Sequence, residues 1–175
     1  MAGSLIKIDE EIVTSAVASV TLTGIDSTYD VYMVRYNNWV ASVEGGGRIR
    51  VTTSGTPDTT ANYDVAGKRL RADTTFDNIA FTNQTTGLLT GTVISTATAE
   101  TSNGIVYLFN FNNASEYSFM TIEGASFYAS TINDVAQTTG GIVHTVAQSC
   151  DGVQIYVDGQ NTASGTFTLY GLKKS

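Results

Sequence analysis

The chain has 175 residues, with 16 acidic and 9 basic side chains, a formal charge of −7, one cysteine and one histidine. That length suits one domain, large enough to bury roughly 70% of the surface its unfolded chain exposes. Cys150 alone excludes an internal disulfide, His144 alone excludes a His-rich zinc site within one chain, and the scattered basic residues argue against binding a phosphate backbone.

Residues 1–18 read as a strand-like N-terminal arm, in which Ile6 and Ile8 alternate with polar neighbours. The stretch 9–17 suits one or two helical turns capped by Asp9 equally well. Residues 19–175 read as a single β-sandwich domain. Val20 and Leu22 alternate with Ser19, Thr21 and Thr23, and the turn-like 24–28 leads to an apolar run over 29–36, which predicts an opening hairpin. After the Gly45-Gly46-Gly47 triplet, Ile49 and Val51 face one side of a strand while Arg48 and Arg50 face the other. Residues 54–67, which hold the sole proline Pro57 among small polar residues, predict a long exposed loop.

Residues 68–82 fit neither period well and predict short strands; residues 88–97 are β-branched with Gly91 inside. The most apolar run, 105–111, predicts a central strand with Tyr107, Phe109 and Phe111 on one face and Val106 and Leu108 on the other. The turn 112–115 returns it antiparallel through 117–122 as a hairpin. Residues 142–146, 153–157 and 166–172 complete nine or ten strands, the last two joined by a small-polar turn as a second hairpin. No repeat appears at a period of 20 to 50 residues. The fold class this predicts is all-β, an antiparallel β-sandwich of jelly-roll type.

Only 14% of residues are charged, against ~25% in ordinary globular domains. Thr, Ser, Asn and Gly take their place, a composition that suits virion and fibre proteins and sugar-binding sandwiches. No apolar run approaches the ~20 residues needed to span a bilayer, and no basic segment precedes an apolar signal core. The expectation is synthesis in a cytoplasm, with neither membrane nor nucleic acid as partner.

Catalytic constellations are sparse. His144 shares a strand face with Ile142 and Val146, which predicts a packed, hydrogen-bonded histidine, and Cys150 reads as a small hydrophobe. Glu100, Glu116, Glu123, Asp134 and Asp151 could furnish the paired carboxyls of a glycosidase, but each lies near a turn or strand end where acids are solvated. Asp26, Asp30, Asp58 and Asp64 read as Asx-turn residues and not as calcium ligands. The reading is a protein that is not an enzyme, with no catalytic residue, cofactor or metal. Tyr36, Trp39, Tyr63, Phe127 and Tyr128 sit in or beside predicted loops and are the candidates for a subunit interface or for stacking on sugar rings.

Three segments carry a family resemblance: Ile6-Lys7-Ile8-Asp9-Glu10-Glu11-Ile12-Val13-Thr14, Tyr107-Leu108-Phe109-Asn110-Phe111-Asn112-Asn113-Ala114-Ser115-Glu116-Tyr117, and Ala163-Ser164-Gly165-Thr166-Phe167-Thr168-Leu169-Tyr170-Gly171-Leu172. With them the chain resembles small β-sandwich structural proteins of aquatic tailed bacteriophages, of the capsid decoration or fibre type. The resemblance implies a virion component assembling with other virion proteins and with itself. A homo-oligomer, a trimer foremost, also accords with the low charge and the few devices that blunt strand edges. The alternative function is a carbohydrate-binding sandwich that reads host surface glycans.

Overall fold

The computed structural model describes residues 4–128 and 134–173, with the side chains of Tyr128 and Asp134 outside that description. The strands are β1 (Leu5–Val13), β2 (Val20–Thr23), β3 (Val31–Ala41), β4 (Gly45–Thr53), β5 (Thr56–Pro57), β6 (Tyr63–Arg71), β7 (Phe76–Gln84), β8 (Gly87–Ile94), β9 (Ser102–Phe109), β10 (Ser118–Tyr128), β11 (Asp134–His144), β12 (Gly152–Val157) and β13 (Thr162–Leu172). They form two antiparallel sheets. The larger runs β1-β13-β3-β9-β10-β11-β6-β7, and the smaller runs β2-β12-β4-β5 with β8 paired to β4. The segment read as an arm is strand β1, held along the edge of the large sheet by β13 from Leu5↔Leu172 to Val13↔Gly165.

Alternation identified the strands but not their lateral neighbours. The predicted opening hairpin does not form: β2 pairs with β12 in the small sheet, while β3 lies between β13 and β9 in the large one. The predicted C-terminal hairpin fails likewise, since β12 and β13 belong to different sheets and only the isolated bridge Val157↔Gln160 closes the turn. In both cases the chain crosses the core between strands instead of doubling back beside itself. A period of two reports which face is buried, and that face is satisfied equally by a neighbour in the same sheet or by the opposing sheet. The hairpins that do form are β4–β5, β6–β7, β9–β10 and β10–β11. The ambiguous residues 68–82 thus belong to a ladder from Leu70↔Phe76 to Tyr63↔Gln84.

The loop predicted over 54–67 is shorter than expected, because β6 starts at Tyr63, whose side chain is buried. Its hydroxyl accepts from the Val51 amide at 3.1 Å and donates to the Asp58 carbonyl at 3.0 Å. A ring anchored at both ends of the loop draws the segment onto the sandwich.

Small-sheet residues Leu22, Ile49, Val51, Val153 and Ile155 pack against Val34, Val106, Leu108, Ile142 and Leu169 of the large sheet. Trp39 lies fully buried, edge-on to Tyr36 and Phe167 with ring centroids 5.6 and 5.4 Å away, and its indole N–H donates to Thr162 Oγ1 at 3.1 Å. Strict alternation would put Tyr36 and Trp39 on opposite faces. The register shifts between them, and Asn38 takes a left-handed φ of 53° with its amide donating to Asn103 Oδ1. This bulge turns both rings inward. Room for Tyr36 comes from Gly104 and Gly124 on the neighbouring strands, where an added Cβ would run into its hydroxyl.

The run over 105–111 is central and its faces divide as predicted at 106–109, but they are not both core. Val106 and Leu108 are the core side, whereas Tyr107 and Phe109 point outward and are half-buried. Phe111 is buried apart from them, because Asn110 (φ 61°) breaks the alternation.

Candidate functional site

Of the five aromatic residues proposed as contacts, Tyr36, Trp39 and Tyr63 are buried in the core, so they offer no ring to a sugar or a partner. Periodicity read them as loop residues because the bulge at Asn38 and the anchored loop before β6 hide their inward direction. Phe127 is 37% exposed on β10. The Tyr128 side chain lies outside the described residues.

His144 is fully buried, as its strand position predicts. It is not without an acidic neighbour: Nε2 lies 2.7 Å from Asp58 Oδ2, although 86 positions separate the two. Asp58 also accepts from the amide and hydroxyl of Thr60, closing an Asx turn. Burial raises the Asp58 carboxyl, but the hydrogen bonds from Thr60 and His144 outweigh it and hold it down at about 2. An ionised Asp58 accepts only, so His144 Nε2–H is the donor, while Nδ1 meets no hydrogen-bonding group among the described residues. The Tyr63 ring packs on the imidazole at 5.0 Å. Cys150 is buried with its Sγ 3.8 Å from Ser118 Oγ, and burial pushes the thiol up, away from the nucleophilic thiolate.

The other acidic candidates serve turns and strand ends. Asp26 Oδ1 accepts from the Thr28 amide, Asp64 Oδ1 from the Asn83 amide, and Asp30 is exposed. Asp151 accepts from Thr52 Oγ1 at 2.7 Å and the Gly55 amide at 2.9 Å, and Glu100 from Ser95 Oγ at 2.6 Å. Glu116 and Glu123 are exposed; the Asp134 side chain lies outside the described residues. Among the described residues no group of three or more His, Cys, Asp or Glu side chains could hold a metal ion.

The outer face of the large sheet is the most extensive candidate surface. Register places Val31, Phe109, Phe119 and Val143 side by side across β3, β9, β10 and β11. Phe119 is 45% exposed. The adjoining row, Tyr107, Thr121, Gly141, Ala66 and Ala80, has short side chains from β10 to β7, and they floor a shallow apolar depression beside Phe119 and Val143. The next row is charged: Lys68, Glu123, Arg35 and Glu10 fall on one line with Thr139, Ile105 and Thr168 between them. Beyond it, the cross-strand pair Phe127 and Val135 is exposed again, with Phe76 at the β7 edge. The face therefore alternates an apolar band, a charged band and a second apolar band. Sequence reasoning missed Phe119 and Val143 because alternation on β10 and β11 leaves open which side the small sheet covers. Their neighbours Met120 and Ile142 occupy the covered side.

No protein-family model, curated protein or solved structure matches the chain.

Proposed function

We propose that this is a structural protein of a bacteriophage virion, a capsid decoration or fibre-type jelly roll that assembles through contacts between subunits. The observation that carries the assembly reading is the outer face of the large sheet, where Val31, Phe109, Phe119 and Val143 lie in register with Phe119 45% exposed. Contiguous apolar surface of this kind marks interaction sites in soluble proteins. The charged row across the same face supplies what an apolar patch lacks, a penalty against misaligned packing. The open edges β1 and β7 add unpaired backbone groups at the rims of that sheet. The chain's repeated passage between its two sheets supports the jelly-roll reading, and the virion assignment rests on the resemblance of its three segments to phage structural proteins.

Light scattering or mass photometry at micromolar protein tests assembly. The expected species is a homo-oligomer, a trimer foremost, and Phe119→Glu shifts it toward monomer while the variant stays folded. A wild-type protein that remains monomeric and binds no virion protein overturns the reading. Electron microscopy of virions with and without the gene then separates capsid, tail and fibre.

A further inference from the structure

Four of the five arginines, Arg48, Arg50, Arg69 and Arg71, gather where the β6–β7 hairpin meets β4 and β8. Two adjoining hollows of about 520 and 240 Å³ meet there, sharing Arg48, Phe81 and Leu88, which together fall in the size range of small-ligand sites. Three of the guanidiniums are paired, Arg48 with Asp158, Arg69 with Asp77 and Arg71 with Asp73. In each pair the arginine is the deeper member: side-chain exposures are 25% against 56%, 29% against 39% and 13% against 39%. The carboxylates are thus on the rim and the guanidiniums on the wall.

Arg50 differs from the other three. Its Nε donates to the Thr85 carbonyl at 3.0 Å and its guanidinium lies 4.6 Å from the centre of the Tyr156 ring. No carboxylate pairs with it among the described residues. The backbone bond and the ring hold the planar fork in place while its outer N–H groups keep donor capacity for a bidentate oxyanion. Among the described residues Arg50 is thus the cleft guanidinium without a carboxylate partner, which suits a monoanion, while Asp77 and Asp158 beside the hollows disfavour a phosphate dianion. Phe81, 48% exposed, lines both hollows and offers a ring, and Asn78 and Gln84 add uncharged hydrogen-bonding groups. A stacking ring, neutral hydrogen bonds and one fork for a carboxylate are together the chemistry of an acidic sugar.

We propose that this cleft binds a carboxylate-bearing saccharide, its acid on Arg50 and its ring on Phe81. Phe81 and Val65 border both this cleft and the outer-face depression, but the arginines line only the cleft and Phe119 and Val143 only the depression, so substitution of Arg50 tests the cleft independently of the assembly reading.

Isothermal titration of the full chain with a galacturonate oligosaccharide tests it, beside a neutral galactose oligosaccharide of equal length, acetate and inorganic phosphate. The expected result is binding of the galacturonate oligosaccharide that weakens with salt, at least tenfold weaker binding of the neutral one, and little binding of either small anion. Arg50→Met keeps a stem over Tyr156 and removes the charge, and should weaken galacturonate binding at least tenfold. Phe81→Ala, at an exposed position, should weaken it several-fold, and Phe119→Glu on the outer face should leave it unchanged. Absence of galacturonate binding at millimolar concentration, equal binding of the neutral oligosaccharide, displacement by phosphate at equal concentration, or insensitivity of folded variants to both cleft substitutions would each overturn it.

Discussion

Replacing Asp58 by asparagine isolates the charge from the shape of the part-buried Asp58–His144 pair. The amide keeps an oxygen to accept from Thr60, but the negative charge opposite His144 Nε2 is lost. A carboxyl held at about 2 instead of its ordinary 3.8 contributes about 2 kcal/mol at neutral pH, at ~1.4 kcal/mol for each tenfold change in proton affinity. Because the folded-state value is the lower one, that stabilisation is complete above about pH 4 and is lost as pH falls through about 2. Urea unfolding of both proteins from pH 7 to pH 2 should show Asp58→Asn less stable by about 2 kcal/mol at pH 7, with the gap closing to under about 0.5 kcal/mol at pH 2. The carboxyls of Glu10, Asp26 and Asp73 are also held low by hydrogen bonds, but they are common to both proteins and cancel in the difference. A gap of equal size at both ends of the range, or none at pH 7, would refute the assignment of an ionised, stabilising Asp58.

Leu108→Ala should cost on the order of 2–5 kcal/mol in urea unfolding, because Leu108 is fully buried between the sheets. Phe109→Ala, one residue on but half-exposed on the outer face, should cost about 1–2 kcal/mol, and a reversal of that order would mean the sheet's faces are exchanged. Gly104→Ala should destabilise by about 1–3 kcal/mol through its clash with the Tyr36 hydroxyl. Tyr36→Phe, by removing that oxygen, should recover part of the loss in a double-mutant cycle measured by thermal unfolding.

Local pattern determined that the chain is built of strands, that 105–111 is a central one, that β9 returns as β10, and that Ile49 and Val51 face the core while Arg48 and Arg50 do not. Each of these depends on a period of two or on a turn a few residues long, and both are written in neighbouring residues. The tertiary structure alone decided that β2 and β12 leave their sequence neighbours for the opposite sheet, since a buried face is satisfied from either side. It also decided that Trp39 and Tyr36 both turn inward, through one bulge at Asn38 and two glycines on other strands. The meeting of Asp58 with His144, and of Arg48 and Arg50 with Arg69 and Arg71, came the same way. These residues lie on segments that only strand pairing and sheet stacking bring together, and strand pairing is a choice among alternatives that no local window distinguishes.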